Sequence, residues 1–83
     1  MPYIEPKDRL PFLDGLGKFR SLITNEGELA FVIYRLCVDY AKKQMKFKHL
    51  NSVTGVIDNV GKEYYRRVVA KHEDRKRKEN GDV

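Results

Sequence analysis

Apolar residues recur at intervals of three and four at Leu50, Val53, Ile57, Val60 and Tyr64, which places them on one stripe of a helix. Beyond Ala70 the run from Lys71 to Glu79 has no apolar residue, so that end of the same helix can be helical only while solvated or bound. The pattern therefore predicts a long helix over 50–79, half core and half surface. An earlier helix is announced by Asn25-Glu26-Gly27-Glu28, where Asn25 can cap and Glu28 can reach back to the Asn25 amide. It is predicted to run to about Gln44. Leu29, Val32, Ile33, Leu36 and Tyr40 form one apolar stripe, and Ala30, Tyr34, Val38, Ala41 and Met45 form another, which suits a central helix.

Upstream, Asp14 is an N-cap candidate for a short leading helix over 15–24, with Leu16, Phe19, Leu22 and Ile23 at helical spacing. Pro2, Pro6 and Pro11 predict an extended arm over 1–13, pinned by Tyr3, Ile4, Leu10 and Phe12. Lys42, Lys43, Lys46 and Lys48 gather where the second helix is expected to end, matching the negative end of its dipole. Gly55 and Gly61 each cost roughly 1 kcal/mol of helix propensity relative to alanine, which points to close approach of another backbone there. No segment alternates like a strand. The expected fold is all-α: a small helical hairpin or bundle with two principal antiparallel helices and a short leading helix. Its organisation is an arm at 1–13, one helical domain at 14–79 and a tail at 80–83.

Eighty-three residues make one small domain, and a core of that size often supplies about 3–5 kcal/mol before staples or partners are counted. A lone cysteine, Cys37, can form no intrachain disulfide, and Cys37, His49 and His72 have no zinc-ligand spacing. Assembly into a homo-oligomer is the expected extra source of stability. Pro2, Glu5, Asp8, Arg9 and Asp14 stand where a signal peptide needs an apolar run, and no segment has the length of a membrane span, so a soluble cytoplasmic protein with no membrane association is expected. The formal net charge is +5, of which residues 66–83 carry +3.

The stretch from Glu26 to Leu36, then 51–57, Glu63-Tyr64-Tyr65-Arg66-Arg67-Val68-Val69-Ala70, Glu73-Asp74 and Glu79-Asn80-Gly81-Asp82-Val83 together resemble a family of small uncharacterised phage and bacterial proteins. Its members read roughly GELNYVITRL, GVLE, EFYRRVVAPYED and a terminal ENGDV. This chain departs from that pattern at Ala30, Phe31, Asp58 and Lys71-His72. The resemblance implies a phage or bacterial setting and no mechanism. Where the pattern has proline, Lys71 removes a helix stop and favours a continuous helix past Ala70.

The chemistry concentrates at Tyr64-Tyr65-Arg66-Arg67, with Lys62 and Lys71 nearby. Arginine forks match phosphate, and a tyrosine ring can stack on a base. The competing reading is that these arginines pair with carboxylates such as Glu63, or Asp39 across a dimer. Glu26, Glu28, Asp39, Asp58 and Glu63 do not show the paired acids, one turn apart, with which nucleotide pyrophosphatases of the MazG type hold magnesium. Neither histidine has a nucleophile partner in sequence, and Cys37 fits an inert core thiol. Glu73, Asp74 and Glu79 interrupt the basic run of 66–78, and no nucleic-acid motif accompanies it.

The reading is a non-catalytic, homo-oligomeric binding module, without cofactor or metal, for an anionic ligand such as a nucleotide or for an acidic protein partner. Arg35, Lys62, Tyr65, Arg66 and Arg67 are the expected contacts. In a phage setting, one concrete version sequesters a nucleotide signal of the host's defence. The alternatives are a MazG-like nucleotide-processing enzyme and a nucleic-acid-binding accessory protein.

Overall fold

A computed structural model describes residues 4–81, and every regular element among them is helical. The first helix, α1, spans Pro6–Phe19 and closes in a 3₁₀ turn at Arg20–Leu22. The extended arm expected over 1–13 is thus helical from Pro6 onward, and its residues 1–3 lie outside the described residues. Pro6 takes the first helical position, where its missing N–H would have had no partner and its fixed φ already suits a helix. Asp8 adds negative charge in the first turn and donates its amide to the Glu5 carbonyl at 2.8 Å, while the Arg9 guanidinium donates to the Ile4 carbonyl at 2.8 Å. Pro11 lies inside the helix and forfeits one backbone hydrogen bond. One interior proline did not stop the helix, and Asp14 lies within it instead of capping it.

Helix α2 spans Glu26–Ala41. Asn25 caps it as expected: its side-chain oxygen accepts the Glu28 amide at 2.8 Å. The return contact falls mainly one residue earlier than the usual capping box. Glu28 Oε1 accepts the Thr24 amide at 2.7 Å and the Thr24 hydroxyl at 2.8 Å. Those two donors, and to a lesser degree the Asn25 backbone, hold the Glu28 carboxyl below its ordinary pKa against a small opposing effect of burial. The helix ends earlier than expected, at Ala41, where Lys42, Lys43 and Gln44 donate their amides to the Val38, Tyr40 and Ala41 carbonyls.

Helix α3 spans Phe47–Tyr64 and α4 spans Ala70–Asn80, joined without a break by a π-helical turn at Tyr65–Val69. The continuous helix predicted past Ala70 is present, beginning three residues earlier than position 50. Its apolar half and its charged half are separated by that π turn, in which the Ala70 amide reaches back to the Tyr65 carbonyl. Two units make up the described chain, 4–53 and 54–81, with the boundary inside α3.

Among the described residues no side chain is buried. Phe31 on α2 is 64% exposed, Phe47 at the start of α3 is 82% exposed and Ile57 on its predicted core stripe is 47% exposed. The all-α class holds. Along the stripes expected to form the core of a hairpin or bundle, the described side chains are exposed or, as at Val32, Val38, Ala41 and Val53, half-buried. No described backbone crowds Gly55 or Gly61: a Cβ added at either position would meet nothing within 4 Å.

Candidate functional site

The five residues expected to contact an anion divide between the two units. Arg35 is on α2, where it lies 3.3 Å from Asp39 one turn later. Lys62 is near the end of α3, 3.7 Å from Asp58 one turn earlier. Tyr65, Arg66 and Arg67 follow one another in the π turn. The Tyr65 hydroxyl donates to Glu73 Oε1 at 2.7 Å, and this bond, reinforced by the Glu73 charge, raises the tyrosine pKa above its ordinary value. Arg66 pairs with Glu63, the less exposed member of that pair, and Arg67 also has a partner within the chain. Each candidate therefore has an internal counterpart. An arriving anion would have to compete for them, although exposed pairs of this kind hold each other by only about 0–1 kcal/mol.

In α4 the acids that interrupt the basic run are also engaged: Asp74 lies 3.4 Å from Arg77, and Glu79 lies 3.4 Å from Lys76. The helix is a solvated, internally paired rod in its ionic pattern.

A second basic region lies at the turn between α2 and α3. Residues 40–57 contain Lys42, Lys43, Lys46, Lys48 and His49 and no acidic residue. Because α2 ends at Ala41, Lys46 and Lys48 do not serve its C-terminus as the sequence suggested. Lys46 is the residue before α3, and its carbonyl accepts the Leu50 amide at 2.9 Å, so lysine occupies the N-cap. Its side chain offers the first turn no acceptor. Lys48 follows inside that turn, which has no acid to offset the positive end of the dipole.

Gln44, Lys46, Lys48, His49 and Ser52 line an open cleft of about 450 Å³ at this point. Its walls are held from behind. The His49 ring sits 5.2 Å from the Tyr40 ring, with its Nε2 3.5 Å from the Tyr40 carbonyl, and Lys43 lies 5.0 Å from the other ring's centre. Ser52 donates to the His49 carbonyl at 2.6 Å. Lys42, Lys46 and Lys48 pair with no carboxylate among the described residues. The signal for this cleft is legible, an eighteen-residue stretch without an acid, of which Lys42 and Lys43 lie at the end of α2 as expected and Lys46 and Lys48 at the start of α3.

A further cleft, also about 450 Å³, is apolar and lies between the end of α1 and the start of α2, against Phe19, Leu22, Ile23, Phe31 and Val32. No group of three or more His, Cys, Asp or Glu among the described residues is placed to hold a metal ion. No described helix is long and apolar enough to cross a membrane. No curated protein and no solved structure matches the chain. Residues 1–83 match a family model from end to end: the chain belongs to the family described as Domain of unknown function (DUF6899).

Proposed function

We propose that the chain is a non-catalytic helical module that assembles with copies of itself through α2 and α3 and binds an anionic ligand, a nucleotide or an acidic protein surface. The observation that carries the assembly is the absence of any buried side chain among the described residues, although both helices bear apolar stripes. Ordering a residue costs about 1–2 kcal/mol of backbone entropy, and most helical stability in proteins comes from packing an apolar face, not from propensity. Burial has to come from somewhere.

The occupant favoured is a second copy. Leu29, Phe31, Ile33, Leu36 and Tyr40 on α2 and Val56, Ile57, Val60 and Tyr64 on α3 are all exposed. The charges nearby are compensated within each helix by Arg35 with Asp39 and Lys62 with Asp58, so identical faces can meet without net repulsion. A formal charge of +5 supports an anionic ligand.

Sedimentation equilibrium combined with far-UV circular dichroism over a dilution series tests the assembly. The expected mass is a multiple of 9.7 kDa, with helicity that falls on dilution, and Ile57→Asp should give a poorly helical monomer. A monomer with full helicity at every concentration would overturn it.

A further inference from the structure

We propose that the cleft at the α2–α3 turn binds the phosphate group of a small phosphorylated ligand, with Lys46, Lys48 and His49 as its contacts. The proposal deepens the anion-binding reading above and rests on it, but moves the site away from Arg66 and Arg67.

Three observations converge. The first is charge without counter-charge: residues 40–57 hold four lysines and no acid, and Lys42, Lys46 and Lys48 pair with no carboxylate among the described residues. By contrast, Arg35, Lys62 and Arg66 all face carboxylates of their own helices. The second is a concave surface. The cleft of about 450 Å³ lies within the roughly 300–1,000 Å³ common for small-ligand sites, and every residue lining it is polar: Gln44, Lys46, Lys48, His49 and Ser52.

The third is a local rule broken at one place. Lysines at the N-cap and in the first turn of α3 oppose the helix dipole, and lysine cannot serve the orphan amides there. Residues that work against their own helix are expected where function demands them. A phosphate would answer all three, by neutralising Lys46 and Lys48 and accepting hydrogen bonds from their ammonium groups beside the His49 ring. His49 is already oriented, because its ring rests against Tyr40.

Titration calorimetry with inorganic pyrophosphate, and in a second arm with a nucleoside diphosphate, tests the site at low ionic strength. Lys46→Gln with Lys48→Gln should weaken pyrophosphate binding by about tenfold or more, whereas Arg66→Gln with Arg67→Gln should leave it nearly unchanged. Both substitutions are at exposed positions, and circular dichroism with sedimentation confirms that helicity and mass are kept. Tighter binding of the nucleoside diphosphate than of pyrophosphate would identify a nucleotide as the ligand, and equal binding a phosphate group alone. Binding that survives the lysine pair but is lost with the arginine pair would overturn this site and keep the anion-binding reading. Equal weakening by both pairs would reduce it to general charge attraction, and a wild-type chain that binds neither probe would end both.

Discussion

Two helices of this chain begin in opposite ways. At α2, Asn25 accepts the Glu28 amide, Glu28 accepts from Thr24, and Glu26 and Glu28 both place negative charge on the positive end of the dipole. At α3, the capping position is Lys46, Lys48 follows, and the first turn has no acid. One start satisfies its own backbone and charge, while the other places Lys46 and Lys48 at the positive end of a helix, beside an open cleft. The contrast locates where the chain is complete by itself and where it has capacity left for a partner.

The widest separation of the two should come from exchanging their caps. Asn25→Ala removes an acceptor that α2 uses and should cost about 1 kcal/mol, within the usual range of 0.5–2. Lys46→Asp gives α3 the cap it lacks and removes a charge that opposes its dipole, so it should stabilise by a similar amount while weakening pyrophosphate binding. Thermal unfolding at one fixed protein concentration measures both, since assembly would otherwise shift the midpoint. If Lys46→Asp destabilises, the lysine has a structural role at that start and the contrast fails.

Acid should also separate the two starts. Glu28 has a depressed pKa in the folded chain, so its contribution is fully present above the unfolded carboxylate value and is lost as pH falls through the folded one. Amide exchange at Thr24 and Glu28 should quicken in that range, because protonation removes the acceptor for Thr24. Exchange in the first turn of α3, which has no carboxylate, should not follow the same titration. Glu28→Gln should abolish the pH dependence at α2. An unchanged profile in that variant would mean that another group controls it.

The start of α2 was legible because a cap is local: Asn25 and Glu28 are three residues apart, and the spacing alone implies the geometry. The stripe from Leu50 to Tyr64 was equally plain, and so was the helix running through Ala70 once Lys71 replaced a proline in the pattern. The start of α1 is hidden in the sequence because prolines usually break helices, whereas Pro6 occupies the first helical position, which tolerates it. The π turn left no mark, since Tyr65–Val69 has the composition of an ordinary helix. The place of Lys46 and Lys48 turns on a few residues of helix boundary. Moving the end of α2 from Gln44 to Ala41 transfers Lys46 and Lys48 from a favourable dipole end to an unfavourable one. Arg66 and Arg67 are legible as phosphate-binding chemistry, but a sequence does not rank internal pairing against ligand binding, and the structure pairs Arg66 with Glu63.

The smallest effects belong to the glycines farther along α3, and they test whether its body, unlike its start, is free of demands from within the chain. Gly61 has open space where a Cβ would be, so Gly61→Ala should raise stability by roughly 0.8–1 kcal/mol through helix propensity alone. The same substitution reports on assembly, because Val60 and Tyr64 flank Gly61 on a helix whose apolar stripe is proposed to meet a second copy. Measuring unfolding and mass together separates the two effects. A gain in stability with unchanged mass leaves Gly61 on the solvent side of the helix. A loss of stability accompanied by a lower mass puts Gly61 at the contact between copies, where a methyl group would hold the two backbones apart.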